Sequence, residues 1–402
     1  MFSRELLESA RLKPQFFTRD RILNFPTVLT FLLSGLQSAV QSELDRFFAP
    51  LGNRADSLRV VSAQAFSKAR VKISALAFSQ INHHLIALVE QHLAIPRWRG
   101  LRVVAADGSK VRLTLMKEGV RSVVEGVAFG LSLPGIELFL DFVLHEPVCD
   151  ERQMLFEAID EGVLRADDLR VLDHGFPSRW RVSMLTARRI PFCIRCDNSG
   201  GFKAVRCFLA SGLVEKVVSL RPPDAVDAAN YGYPRVPTAV RLIRVVTPSG
   251  KIPVLMTSLF DELAYPAAEF AALYHGRWRI EESFKRLKHR LGLEHTSGLS
   301  WHAARQNFGA KAICDNLNAL AAHVASDACL EAESSARINR TQAFDKIKRQ
   351  LGRWLLLAKA TVRNVKAVLT EIVKNIQTFV PDRHKPRHQK TKPHRFFAYK
   401  PI

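Results

Sequence analysis

Apolar residues recur at three- to four-residue spacing through FPTVLTFLLSGLQSAVQSELDRFFAPL and VSAQAFSKARVKISALAFSQINHHLIALVEQHL, which predicts helices over the first hundred residues. Ser62 stands where an N-cap would open the second run. The texture changes near Pro96. LRVVAAD is a short apolar run ending in an acid, and the GSK after it reads as a turn. VRSVVEGVAFGLSL and GIELFLDFVLH are strand-like, ERQMLFEAIDEGVL is helical, and LRVLD is a buried-type strand closing on Asp173. The helix SRWRVSMLTARR then leads to the strand PFCIRC. Three strands, a helix, a strand, a helix and a strand predict an α/β sheet covered by helices.

From about 201 to 262 the pattern turns strand-rich again, with RLIRVVTPSGKIPVLMTSL reading as two strands joined by a Pro-Ser-Gly turn. Helices resume in YPAAEFAALYHGRWRIEESFKRLKHRL and continue through TQAFDKIKRQLGRWLLL and TVRNVKAVLTEIVKNIQTF. The last stretch, PDRHKPRHQKTKPHRFFAYKPI, is basic, proline-punctuated and almost free of acids.

Charge sharpens this picture. Lys and Arg number 59 against 38 Asp and Glu, a formal charge of +21, which points to a polyanion such as nucleic acid. Lys68, Arg70 and Lys72 are a candidate phosphate-contacting face near the N-terminus, or else an ordinary solvated helix face. The most apolar stretch, GVAFGLSLPGIELFLDFVL, is interrupted by Pro134, Glu137 and Asp141, so no membrane span is expected. The start of the chain has no signal-peptide core. Six cysteines are too sparse for a disulfide scaffold, and the lone CxxC of Cys193 and Cys196 reads as buried thiols. A reduced, cytoplasmic location fits these features.

Two acids close strand-like runs, Asp107 and Asp173. Carboxylates at sheet ends suit metal-dependent phosphoryl transfer, because hard cations such as Mg²⁺ prefer oxygen ligands. Further along, Tyr274, Arg277, Glu281 and Lys288 lie at offsets of 3, 7 and 14 from the tyrosine. At about 100° per residue they share a stripe about 60° wide on one helix face. Arg277 and Glu281 also read as a plain i,i+4 ion pair. Gly276 weakens the helix across this motif.

LYHGRWRIEESFKRLKHRLGLEHTSG resembles the Y-R-E-K signature of DDE-type bacterial insertion-sequence transposases, specifically insertion-sequence family four, matched without a gap by Tyr274, Arg277, Glu281 and Lys288. VVAADGSKVRL and VLDHGF resemble the blocks around that family's first and second catalytic Asp, with His174 where Arg is more usual. The resemblance implies a ribonuclease H-like core in two parts, 96–200 and 263–330, interrupted by a β-rich insertion at 201–262. Flanking regions would be a helical DNA-binding domain at 1–95, C-terminal helices at 331–380 and a basic tail at 381–402. It implies Asp107, Asp173 and Glu281 as catalytic ligands of two Mg²⁺ ions, with Mn²⁺ as a substitute. Tyr274, Arg277 and Lys288 would contact DNA phosphates. Trp278 and Phe284 are expected to pack the helix on the core, with stacking on an extruded base as the alternative, and Tyr231 and Tyr233 are weaker candidates for that stacking or else a loop pair with no special role. The implied activity is cutting and joining of double-stranded DNA at terminal inverted repeats through a hairpin intermediate, by a homodimer on two DNA ends. A metal-dependent nuclease on the same core and a non-catalytic DNA-binding relative are the alternatives.

Overall fold

The two long N-terminal helical runs each break into two helices. The protein is seen here as a computed structural model that describes residues 2–52, 59–147, 151–198, 201–246, 253–330, 336–358 and 360–378. After α1 (Arg4–Ala10), the first run divides into α2 (Phe25–Leu33) and α3 (Val40–Gly52) around Gly35. Gly35 lies at φ 65°, a left-handed conformation that ends helices. The second run divides into α4 (Ala63–Arg70) and α5 (Leu76–His92). Ser62 Oγ accepts from Ala65 N at 3.1 Å, so the expected cap is present.

The sheet follows: β1 (Arg97–Trp98), β2 (Leu101–Lys117), β3 (Val120–Leu133) and β4 (Leu138–His145), then α6 (Glu151–Asp160), β5 (Asp168–Leu172), α7 (Arg179–Ala187) and β6 (Phe192–Cys196). It continues with α8 (Lys203–Ala210), β7 (Glu215–Leu220), α9 (Ala225–Tyr231), β8 (Thr238–Arg244) and β9 (Val254–Thr257). All nine strands form one sheet of order β4-β3-β2-β5-β6-β9-β8-β7, with β1 paired to β2. β4, β3 and β2 are an antiparallel meander, β5 and β6 run parallel to β2, and β9, β8 and β7 extend the sheet antiparallel. The strand-rich stretch at 201–262 therefore continues the main sheet. The Pro-Ser-Gly turn falls at 247–250, outside the described residues.

The GSK turn is a misreading. β2 runs straight through Gly108, Ser109 and Lys110, pairing with β3 from Ala105↔Ser132 to Lys117↔Val120. The reversal comes at Glu118 and Gly119, at φ 51° and 80°. Val111, Leu113 and Leu115 bury one face of this ladder. Long cross-strand pairing with a buried face outweighs the local turn preference of a Gly-Ser pair.

The C-terminal part comprises α10 (Phe270–Gly276), α11 (Trp278–His289), α12 (Trp301–Leu330), β10 (Ala336–Ile338), α13 (Arg340–Leu356), α14 (Val362–Val373) and β11 (Ile376–Thr378). β10 and β11 pair antiparallel, so the run expected as helix to Phe379 ends in a strand. The basic tail lies outside the described residues.

On one face of the sheet, α2, α4 and α5 share a continuous apolar core with β2, β4, α11 and α12, including Phe31, Phe66, Phe78, Phe142, Phe284 and Phe308. Each such phenylalanine contributes on the order of 2 kcal/mol. The other face packs on α6, α7 and α8 through Met154, Leu155, Val182 and Phe208. Arg70 is 2% exposed and donates to Gln306 Oε1, Ser297 Oγ and the Ala303 carbonyl. It ties α4 to α12 and is not available to a phosphate, which removes it from the suggested basic face. Among the described residues no helix is long and apolar enough to cross a membrane. The apolar stretch considered above forms β3 and β4.

Candidate active site

Three separate elements each bring one acid to the same place. Asp107 lies within β2, Asp173 directly follows β5, and Glu281 is in the first turn of α11. β2 and β5 are parallel with Ala105 opposite Val171, so the two aspartates, each two residues further on, stand level on neighbouring strands. α11 lies over that face through Ile280, Phe284 and Leu287, all buried.

The three carboxylates meet on Arg277. Its Nη2 is 2.6 Å from Glu281 Oε1 and 3.5 Å from Asp173 Oδ2, and its Nη1 is 4.0 Å from Asp107 Oδ1. The Arg277 side chain is 1% exposed. Burial works against its charge, but Tyr274, Asp173, Asp107 and Glu281 outweigh it and hold its pKa above the ordinary arginine value. Nε and Nη1 have no hydrogen-bond partner among the described residues, so the guanidinium retains donors for a further acceptor. The ion-pair reading of Arg277 and Glu281 is thus correct but incomplete.

Around this centre the partners are unequal. Tyr274 donates its hydroxyl to Asp173 Oδ1 at 2.7 Å, so it contacts a phosphate only by releasing that bond. Burial pushes its phenol well above the usual range. His174 Nδ1 lies 3.1 Å from Asp173 Oδ2, so the residue that departs from the family pattern touches the second aspartate itself. Burial raises Asp173, but Arg277, Tyr274 and His174 more than reverse this and hold it below the usual carboxylate range. Asp107 is pushed up to about 7, first by burial and then by Glu151, Glu281 and Asp173, against the pull of Arg277.

Glu151 is the residue that sequence reasoning missed. It opens α6, and a Cβ on Gly108 would stand 2.5 Å from its Oε1, while one on Gly175 would be 3.9 Å from Oε2. The fourth carboxylate therefore rests beside Asp107 only because residue 108 has no side chain. The signal was present in that glycine, next to an acid in a strand, where glycine marks a close approach.

Lys288 donates Nζ to the Lys110 carbonyl at 2.6 Å. Burial lowers its pKa, with Glu294 and Asp107 opposing. Between α10 and α11, Arg277 N bonds Tyr274 O and Ile280 N bonds Arg277 O, a local tightening after Gly276. Phe284 is buried against Phe139, as expected, with ring centroids 5.5 Å apart. Trp278 is not; it is 46% exposed beside Arg277. Tyr231 stacks on Trp180 at 3.8 Å and 4°, which occupies a ring considered for base stacking. Cys193 and Cys196 are buried, and burial pushes both thiols up, Cys196 to about 12.

The donor chemistry fits hard divalent cations: carboxylate oxygens converge, and burial, helped by Glu151, Glu281 and Asp173, pushes Asp107 up against the pull of Arg277. Among the described residues no three Asp, Glu, His or Cys side chains already stand close enough to enclose an ion. Arg277 occupies the middle of the cluster.

Carboxylates brought together at a sheet in this way are a donor set that metal-dependent phosphoryl transfer can use. Residues 138–317, just under half of the chain, match the family model described as a transposase DDE domain, and the match supports a DDE-type transposase. Domains of that family generally use divalent metal ions and act in DNA cleavage and transfer. The matched span includes Asp173 and Glu281 and begins after Asp107. Among solved structures, the cryo-EM structure of a piggyBac transposase synaptic complex with hairpin DNA is similar at TM-score 0.42 and 11% identity, over 94% of this chain and 81% of that chain. No curated protein matches this chain.

Proposed function

We propose that this chain is the transposase of a bacterial insertion sequence, a member of insertion-sequence family four that cuts and joins double-stranded DNA through a hairpin intermediate. It would act in the cytoplasm as a homodimer on two DNA ends, with Asp107, Asp173 and Glu281 holding two Mg²⁺ ions, or Mn²⁺ in their place. The observation that carries this reading is the meeting of these acids, from β2, β5 and α11, on one buried guanidinium. The antiparallel meander followed by parallel strands supports a ribonuclease H-like core.

Divalent cations held by Asp107, Asp173 and Glu281 would supply the positive charge that phosphodiester cleavage and joining require. The protein's own groups supply the rest. Tyr274 orients the Asp173 carboxylate. Arg277 and Lys288 offer cationic donors to DNA phosphates on the same helix face, where exclusion of water strengthens each contact. Trp278 presents an exposed ring beside them for an extruded base.

The test incubates the protein and Mg²⁺ with its own element's ends, watching for hairpin and joined products. Glu281→Gln should abolish cleavage and retain DNA binding. Cleavage without joining would make the protein a nuclease, and DNA binding without either would make it a non-catalytic relative.

A further inference from the structure

The far side of α11 carries a second cationic site. Arg290 comes nine residues after Glu281, half a turn round the helix, so it faces away from the three carboxylates. It lines a cavity of about 360 Å³ with Arg46, Arg340 and Asn318. A neighbouring cavity of about 770 Å³ shares Arg46 and Lys348 with the first and extends between α3 and α13 to Arg353. Arg353 in turn lines a third, between α13 and α14. Together they make a groove along α13.

The acids in its wall are already matched. Glu43 meets Lys348 at 3.0 Å, Asp315 meets Arg286 at 3.0 Å and Asp345 meets Arg349 at 2.8 Å. The exposed side chains of Arg46, Arg290 and Arg353 make no hydrogen bond or ion pair among the described residues. Arg340 gives one arm to Glu137 at 3.0 Å, leaving Nη1 without a partner. The groove thus holds an excess of uncommitted guanidinium donors, the buried Nη1 of Arg340 among them. Guanidinium forks match phosphate oxygens in geometry as well as charge.

We propose that this groove, through Arg46, Arg290, Arg340 and Arg353, is a second seat for the sugar-phosphate backbone of DNA, on the opposite side of α11 from the carboxylates. The proposal rests on the DNA-transposase reading and adds to it. The groove holds DNA without reading sequence or touching the reacting phosphate, so it governs affinity and salt dependence, leaving strand chemistry to the acids.

The experiment measures fluorescence anisotropy of a labelled duplex of random sequence with the full chain in EDTA, across a salt series. Replacing Arg46, Arg290 and Arg353 together by Gln should weaken binding and make the log–log salt slope shallower by about 2 to 3, since each lost phosphate contact removes about 0.9. Lys at the three positions should restore most of the slope, and Glu281→Gln should leave it intact. The single Gln variants serve if the triple variant melts abnormally. An unchanged slope overturns the proposal. So does a change of oligomeric state with DNA binding intact, which would make the groove an interface between copies of this chain. A wild-type protein that binds no duplex would sink the DNA reading itself, a distinguishable failure.

Discussion

A guanidinium enclosed by carboxylates and shut off from solvent cannot be deleted quietly. Arg277→Ala leaves Asp107, Asp173 and Glu281 facing one another without their central counter-charge, and breaking a buried ion pair from one side costs about 3 to 5 kcal/mol. Lys288 spends its ammonium on one backbone carbonyl, so Lys288→Ala should cost about 1 kcal/mol. Both variants should lose most hairpin formation. Thermal melts in EDTA beside a hairpin assay separate the two: a wild-type melting temperature for Arg277→Ala would mean the acids do not depend on it. Gly108→Ala is a second probe. Its new methyl group must displace the flexible end of Glu151, so the fold should hold. Cleavage should fall to the level of Glu151→Gln, and full activity in both would remove Glu151 from the site.

At the scale of elements, α12 is the strut against which the site is built. Arg286 of α11 pairs with Asp315 of α12, and Asn316 accepts from Phe139 N in β4 at 2.7 Å. Lys311 of α12, fully buried, donates to the Gly292 and His295 carbonyls at 2.6 Å each, fastening the loop after α11. Burial lowers its pKa to about 7, with Lys348 adding and Cys314 and Glu43 opposing. A neutral amine has two N–H groups for two carbonyls, so the chemistry agrees. Between about pH 7 and the unfolded value the unfolded chain binds the extra proton. Stability therefore rises with pH through that window, by up to roughly 5 kcal/mol. Lys311→Met should flatten the rise, as read by urea midpoints from pH 7 to 10. A rise that survives the substitution would assign it to another group.

Across the whole molecule, the charge of +21 favours polyanions, and DNA is the one the proposed function implies. Binding to non-specific duplex should weaken steeply with salt, and removing 382–402 should make the dependence shallower. An unchanged slope would show that the tail does not touch the backbone. The tail and the α13 groove are separable contributions, because the groove arginines remain when the tail is cut. That the N-terminal helices share one core with α11 and α12 has a consequence too. Substitutions in α2 or α4 should disturb the site as well as any N-terminal contact with DNA.

Periodicity was sufficient for the order of strands and helices from β2 to β6, because alternating and three-to-four patterns are local properties of the chain. The stripe of Tyr274, Arg277, Glu281 and Lys288 was legible for the same reason: helical offsets place side chains on one face whatever else surrounds them. Local signals failed where distant partners decided. Gly108 looked like a turn because glycine favours turns, yet β3 and α6 make it a strand residue pressed against Glu151. Trp278 looked like core, but the apolar face of α11 is fully used by Ile280, Phe284 and Leu287. Arg70 looked like surface and is a buried tie to α12. Burial and charge balance depend on what the fold brings from far along the chain. The sequence therefore determined which residues could do chemistry, and only the tertiary structure decided that three acids would share one guanidinium.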